Sequence, residues 1–206
     1  VGTGPFGGAD LPATDLNAAL RNAPPVWEAS VEDAVVGRVS FRSGKESGLP
    51  LAGYPKHFLN AVLAAEDGRF QEHAGADPLG LAAAVKDTLT VQTRGGSSIT
   101  QQLIKNAVVG NAQTLDRKVN ELIISVRAET AFPKADILES YLRHAWFGRG
   151  AEWAAHAPTV WFGKAWADLS LAECATLAAM LKGPARFDPH AAPERVKARR
   201  DAVLRK

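Results

Sequence analysis

The chain has 206 residues, 46% of them hydrophobic, with 24 basic and 22 acidic residues and a formal net charge of +2. This length and apolar content suffice for one sizeable core, and the near balance of charge argues against nucleic acid as a partner. The single cysteine, Cys174, excludes an intrachain disulfide, and its apolar neighbours are typical of a buried thiol. No apolar run reaches about eighteen residues, so the sequence predicts no membrane-spanning segment.

The N-terminal part of the chain differs in composition from the rest. Residues 1–30 are rich in Gly, Ala and Pro, which predicts an arm or tether with little regular structure. The following EDAVVGRVSFRSG alternates around Val35, Val36 and Val39, and this period of two predicts a short strand or hairpin.

Beyond Pro55 the spacing of apolar residues is that of helices. Glu66 falls at the end of the first apolar stripe, where a charge is costly unless it has a partner. The apolar faces of four predicted helices contain Phe58, Leu59, Val62 and Leu63; Leu79, Leu81, Val85 and Leu89; Ile99, Leu103 and Ala107; and Ile137, Leu138, Tyr141 and Leu142. The helix of the RKVNELIISVRAE segment is expected to bury Leu115, Val119, Leu122, Ile123 and Val126. A further helix begins at a capping box formed by Ser170 and Glu173, and the basic C-terminal segment predicts a terminal helix. The chain is therefore expected to be mainly α.

Polar residues that could carry chemistry form a constellation of carboxylates, amides and cations. The sequence has no paired Cys/His spacing, no HExxH and no phosphate-binding glycine loop followed by Lys-Ser or Lys-Thr. The constellation consists of Glu66, Asp67 and Arg69; Gln101, Gln102, Lys105 and Asn106; and Arg117, Lys118 and Glu121.

Two interpretations of this constellation follow from the residue types. A carboxylate at the end of an apolar stripe suits a general base that acts on an alcohol, and several Lys and Arg residues suit a phosphate leaving group. Together they indicate group transfer from a phosphorylated donor to a hydroxyl. Surface salt bridges on solvated helices explain the same spacing, and spacing alone favours them.

Five ordered motifs between Tyr54 and Pro189 carry a family resemblance. EDGRFQEHAG resembles the ED-x-x-F-x-x-H-x-G signature of the peptidoglycan glycosyltransferases, which comprise monofunctional transglycosylases and the N-terminal domains of class A penicillin-binding proteins. GGSSITQQLIKN resembles the second motif, with Ser98 in place of the usual Thr, and RKVNELIISVRAE resembles the third. KADILESYL, WFGK and LSLAECATLAAMLKGPARFDP resemble the fourth and fifth.

The resemblance implies a glycosyltransferase domain over residues 31–206, made of a mainly α, lysozyme-like lobe and a smaller membrane-facing jaw lobe at about 76–96. It also implies a reaction. A glycan chain on lipid pyrophosphate is the donor, lipid II is the acceptor, and the 4-hydroxyl of the acceptor sugar displaces the lipid pyrophosphate with inversion.

Roles for individual residues follow from the same resemblance. Glu66 would be the general base, with Asp67 and Arg69 as its immediate partners. Glu121 would place the donor pyrophosphate, directly or through a divalent cation such as magnesium or manganese. The residues expected to bind donor sugar and diphosphate are Ser97, Gln101, Gln102, Lys105, Asn106, Arg117 and Lys118. Phe70 and His73 are expected to pack the first motif rather than to act on substrate.

The expected partners are lipid II, the lipid-linked glycan, the membrane surface, cell-wall synthesis proteins and an inhibitor of the moenomycin type. Neither an organic cofactor nor nucleic acid is expected. The resemblance places the protein at the outer face of a bacterial cytoplasmic membrane, held by an N-terminal anchor that lies outside this chain.

The fourth motif departs from the family pattern and keeps two other functions open. Arg143 stands where Asn is usual, and the chain has Trp153, His156 and Pro158 in a segment where Pro158 is expected to kink a helix. Gln113 replaces a residue that is often basic. A lysozyme-like glycan hydrolase using Glu66 and Glu121 is one alternative, and a non-catalytic module that binds lipid II or a cell-wall partner is the other.

Overall fold

The structure is a computed structural model that describes residues 27–31, 34–39, 49–77, 96–109, 115–151 and 153–206. Within these residues seven α-helices account for most of the regular structure, which confirms the mainly α fold class. The helices are α1 (Lys56–Glu66), α2 (Ile99–Ile104), α3 (Leu115–Ala131), α4 (Lys134–His144), α5 (Ala157–Phe162), α6 (Leu171–Met180) and α7 (Pro193–Leu204). No helix in these ranges is long and apolar enough to cross a membrane.

Two short strands precede the helices. β1 (Trp27–Val31) pairs antiparallel with β2 (Ala34–Val39), and the register shifts between Ala29 and Ser30. The valines that predicted a strand lie in β2. β1 begins at Trp27, so it includes the last four residues of the predicted arm. Pairing with β2 satisfies the backbone N–H and C=O groups there, although the arm's composition favours irregular structure. The remainder of that arm, and most of the predicted jaw with its helix around Val85, lie outside the described residues.

The chain divides into two compact units. The first comprises Val1–Glu46 and Glu72–Ser140, and the second comprises Ser47–Gln71 and Tyr141–Lys206.

In the first unit α2 packs against α3. Ser98 caps α2 through a capping box, in which its Oγ accepts from the backbone N of Gln101 at 3.1 Å and its own N donates to Gln101 Oε1 at 2.9 Å. The helix continues into a π-helical turn at Lys105–Val109. The buried apolar residues of α2 and α3 are Ile99, Leu103, Ile104, Ile124 and Ala128.

The buried face of α3 is not the one that the apolar spacing predicts. Val119, Leu122 and Val126 are exposed, whereas the polar Glu121 and Ser125 are buried. Ser125 Oγ donates to the carbonyl of Glu121 at 2.6 Å. A polar face of the helix can be buried when its side chains form such hydrogen bonds. The prediction that Val119, Leu122 and Val126 are buried is therefore wrong.

In the second unit α1, α6 and α7 pack on one another, and Phe58 of α1 belongs to an aromatic cluster. The Phe58 ring lies 4.3 Å from Trp166 and 6.5 Å from Phe147, measured between ring centroids, and Tyr54 meets Trp166 edge-on at 5.2 Å. These four aromatic residues are buried, as is Cys174 in α6. The burial that the sequence predicts for Cys174 is thus confirmed. Phe147 and Trp166 lie in this core, whereas Trp146 is exposed.

Local signals in this unit are partly confirmed. α6 begins at the predicted capping box, since Ser170 N donates to Glu173 Oε2 at 2.8 Å and Ser170 Oγ accepts from Glu173 N at 3.3 Å. Pro158 does not kink a helix, which corrects the prediction. It lies in the first turn of α5, where its missing N–H costs no helical hydrogen bond.

Candidate active site

Glu66 is the last residue of α1, at the end of the stripe that buries Phe58 and Val62. The Glu66 side chain is only 5% exposed, and its Oε1 accepts from Arg199 Nη2 at 3.0 Å. Arg199 belongs to α7, which packs on α6 in the same unit. The proposed base is therefore a nearly buried carboxylate with a direct cationic partner, as the cost of burying a lone charge requires.

Two more ionisable groups of the second unit interact electrostatically with Glu66. Burial raises the pKa of the Tyr141 hydroxyl well above its ordinary value, and the Glu66 carboxylate adds to the rise. Desolvation lowers the pKa of the Lys182 ammonium, while Glu66 acts in the opposite direction. The sequence interpretation missed Arg199, Tyr141 and Lys182 as neighbours of Glu66. The only signal for Arg199 is the basic pattern KARR, which is also what a solvated terminal helix contains.

The residues that follow Glu66 form a tight turn. Asp67 is buried, and its carbonyl accepts from the backbone N of Phe70 at 3.0 Å. Phe70 is fully enclosed, in agreement with a packing role, and Arg69 is half-buried. Asp67 and Arg69 thus remain next to Glu66 in the second unit.

The first unit holds the second predicted carboxylate. Glu121 on α3 is 1% exposed and accepts a hydrogen bond from Lys118 Nζ, one helical turn earlier. The same ammonium donates to Ser97 Oγ at 3.1 Å. The structure thus brings together three of the residues that the resemblance assigns to the donor pyrophosphate: Ser97, Lys118 and Glu121.

The predicted amides and cations of the second motif have different environments. Gln101 is buried, and its Oε1 serves the capping box, so that atom is engaged within the protein. Gln102 and Lys105 are half-buried, and Asn106 is exposed. The Arg117 side chain lies outside the described part of the structure.

A polar network in the first unit connects the loop of the first motif with α2 and α3. Lys134 Nζ donates to the carbonyl of His73 at 2.6 Å and pairs with Glu129 Oε2 at 2.7 Å. Thr100 Oγ1 donates to Glu129 Oε1 at 2.5 Å, and Ser98 Oγ donates to the carbonyl of Gly75 at 2.6 Å. These bonds fix where the loop ends relative to the cap of α2.

The divergent segment of the fourth motif is flanked by residues that contact Asp188 and His190. Arg149, at a φ of 47°, donates from Nε to Asp188 Oδ2 at 2.8 Å, and this bond is the largest cause of a lowered pKa for the Asp188 carboxyl. The Arg149 guanidinium also lies 5.5 Å from the centroid of the Trp161 ring, which stacks with His190. Arg149 and His190 contact Trp161, so its ring serves packing here.

A metal site formed by the protein alone is not found among the residues that the structure describes, because they hold no group of three or more His, Cys, Asp and Glu side chains with suitable geometry.

The fold and the placement of the motifs agree with a comparison against protein families. The family model described as Transglycosylase matches residues 32–206. The chain belongs to this family, which confirms the resemblance to peptidoglycan glycosyltransferases and makes the chain a glycosyltransferase domain of peptidoglycan biosynthesis.

Curated relatives give the same family assignment. The chain is 42% identical over 154 residues to penicillin-binding protein 1A of Aquifex aeolicus, an alignment that covers 74% of this chain and 21% of that protein. It is 38% identical over 209 residues to penicillin-binding protein 1A of Rickettsia typhi, covering 95% of this chain and 25% of the relative. Penicillin-binding protein 1B of Haemophilus influenzae is 36% identical over 165 residues, 76% of this chain and 21% of its own length. The chain thus spans about a quarter or less of these relatives.

Proposed function

We propose that this chain polymerises lipid II into glycan strands at a membrane surface. The observation that carries the proposal is Glu66, a carboxylate that is 5% exposed, lies at the end of α1 in the first family motif, and is paired with Arg199. A shielded carboxylate that is held in one orientation suits a general base acting on a sugar hydroxyl.

In the proposed reaction Glu66 accepts the proton of the acceptor 4-hydroxyl while that oxygen attacks the anomeric carbon of the donor. The new bond joins the acceptor oxygen to the anomeric carbon. The bond from that carbon to the phosphate oxygen breaks, and lipid pyrophosphate leaves with the electron pair. A single displacement of this kind inverts the configuration at the anomeric carbon.

Groups of the first unit are assigned to the leaving pyrophosphate. Lys118 provides a point charge that stabilises developing negative charge, and Ser97 holds the ammonium by a hydrogen bond at 3.1 Å. Glu121 orients Lys118 through their ion pair. Binding of the donor sugar and diphosphate is also assigned to Gln102, Lys105, Asn106 and Arg117. Gln101 would contribute through the side-chain atoms that its capping bond leaves available.

A divalent cation is compatible with these residues but is not required by the proposed step. Magnesium is commonly held by one or two carboxylates together with substrate phosphates, and Glu121 would be the protein ligand of that arrangement. Magnesium or manganese bound there would supply positive charge to the leaving group, a contribution that Lys118 also makes.

The proposed setting is the outer face of a bacterial cytoplasmic membrane, with lipid II and its lipid-linked polymer as substrates. The naming of the relatives as penicillin-binding proteins 1A and 1B supports a cell-wall context. Cell-wall synthesis proteins are the proposed partners.

The test is polymerisation of purified lipid II by the parent chain, by Glu66→Gln and by Glu72→Gln. Glu72 is an exposed carboxylate of the same motif, so its replacement is the matched control. We expect Glu66→Gln to lose at least about 100-fold in rate, the range for removal of a general base, and Glu72→Gln to keep the parent rate. A moenomycin-type phosphoglycolipid should stop polymerisation by the parent.

Other outcomes would replace the proposal. Polymerisation by Glu66→Gln at the parent rate would reject the assigned base. Release of soluble sugars from undecorated glycan, without growth from lipid II, would identify a hydrolase. Binding of lipid II without turnover would identify a non-catalytic module.

A further inference from the structure

We propose that Arg199 is the positioning residue of Glu66 and fixes its carboxylate for proton transfer. This inference rests on the proposed function and adds to it a residue outside the family motifs named above. Arg199 Nη2 donates to Glu66 Oε1 at 3.0 Å, across 133 positions of sequence, and the two side chains are 23% and 5% exposed.

Arg199 is itself held at two further points. Its Nε donates to the carbonyl of Ala179 at 2.9 Å, near the end of α6, where helix carbonyls need partners from outside the helix. Its guanidinium carbon lies 5.3 Å from the centroid of the Phe187 ring, within the range of a cation–π interaction. The ion pair therefore joins α1 to an arginine whose own orientation is already determined.

The geometry distinguishes positioning from general charge neutralisation. A planar guanidinium presents its N–H donors in a fixed fork, so the bond to Ala179 determines where the second donor meets Glu66. A lysine ammonium is a point charge on a flexible stem and cannot reproduce this pairing of bonds. Arg199 thus restricts the Glu66 carboxylate to one orientation, which a base must have relative to the hydroxyl it deprotonates.

Two titratable groups on neighbouring segments interact electrostatically with both members of the pair. They are Tyr141 on α4 and Lys182 just after α6. Arg199 meets the carboxylate directly, through a hydrogen bond to a side chain that is only 5% exposed.

The experiment compares kcat and KM of lipid II polymerisation for the parent, Arg199→Gln, Arg199→Lys and Arg195→Gln. Arg195 is an exposed residue of the same helix that donates to the carbonyl of Arg186, so Arg195→Gln is a control with the same change of charge. For Arg199→Gln we expect kcat to fall about tenfold or more with KM within about twofold. Arg199→Lys keeps the charge but not the fork of donors, so it should recover part of the activity and lose about threefold in kcat.

Other results of this experiment would contradict the role proposed for Arg199. Parent kcat in Arg199→Gln would show that Arg199 does not act on Glu66. A raised KM with unchanged kcat would make Arg199 a substrate-binding residue instead. If Arg199→Gln does not fold, Arg199→Lys decides: parent kcat in that variant rejects positioning by the fork. An inactive parent chain would reject the proposed function itself, whereas an active parent with unaffected Arg199 variants rejects the inference alone.

Discussion

Gly75 lies so close to the backbone of Ser125 that a Cβ atom built on Gly75 would be 2.6 Å from both the carbonyl carbon and the carbonyl oxygen of Ser125. Gly75 ends the loop of the first motif, and Ser125 is buried in the middle of α3, the helix that carries Glu121. The Gly75 carbonyl in turn accepts from Ser98 Oγ at the cap of α2. Within the first unit, a single residue without a side chain thus determines how closely the end of this loop approaches α2 and α3.

We predict that Gly75→Ala destabilises the protein by about 3 kcal/mol or more. Gly75 has a φ of +88°, which costs an L-residue about 1–2 kcal/mol, and the added methyl group must also displace the backbone of α3. Urea unfolding measures the change. Gly68→Ala is the control, since a Cβ there meets nothing within 4 Å, and it should leave the free energy of unfolding nearly unchanged. Equal effects of the two substitutions would contradict the close-packing argument.

We predict unequal losses of stability when the partners of the Lys118–Glu121 pair are changed. Lys118→Gln removes a donor from a carboxylate that is 1% exposed, and we expect a loss of about 2 kcal/mol, below the value for a fully buried pair because Lys118 is 43% exposed. Glu121→Gln removes the buried charge itself, so it should cost less stability than Lys118→Gln. Thermal and urea unfolding give both values.

The Lys164–Glu173 pair provides a matched control for this prediction. Lys164 is 42% exposed, almost the same as Lys118, but Glu173 is 21% exposed instead of 1%. Lys164→Gln should therefore cost under about 1 kcal/mol. If Lys118→Gln costs no more than Lys164→Gln, burial of Glu121 does not determine the strength of its pair.

We predict that Thr100→Val and Lys134→Met are not additive. Both side chains bond to Glu129, Thr100 through Oε1 and Lys134 through Oε2. Each single substitution leaves the Glu129 carboxylate with one of these partners, whereas the double substitution removes both. A double-mutant cycle in urea should give a coupling energy of at least about 0.5 kcal/mol. Additive losses would mean that the two contacts act independently.

The sequence predicts local features of this fold better than distant ones. Apolar spacing places Glu66 at the end of a buried stripe, and a four-residue pattern identifies the Ser170 capping box, because both depend on neighbours within one helix. The partner of Glu66 is 133 positions away, and no local pattern identifies it.

The error in α3 has a related physical cause. Apolar residues occur on more than one side of that helix, and the spacing of Val119, Leu122 and Val126 favours the side that is exposed in the structure. The buried side instead contains Glu121 and Ser125, whose burial depends on Lys118 and on a backbone carbonyl as partners. Helical periodicity contains no information on whether a polar residue will find such partners.

Finally, we predict that the stabilising effect of Glu173 is lost at low pH. The hydrogen bond from Lys164, followed by the bonds from Ser170, lowers the pKa of Glu173 from 4.5 to about 2. Because the folded-state pKa lies below the unfolded value, the stabilisation is complete above pH 4.5 and is lost as the pH falls toward about 2. Glu173→Gln should therefore cost about 1 kcal/mol at neutral pH, and its difference from the parent should vanish in that acidic window. Urea unfolding at a series of pH values measures the difference. When Lys164 is replaced by Gln, the stabilising effect of Glu173 should be lost at a higher pH than in the parent. A difference that stays constant across the window would contradict the assigned pKa.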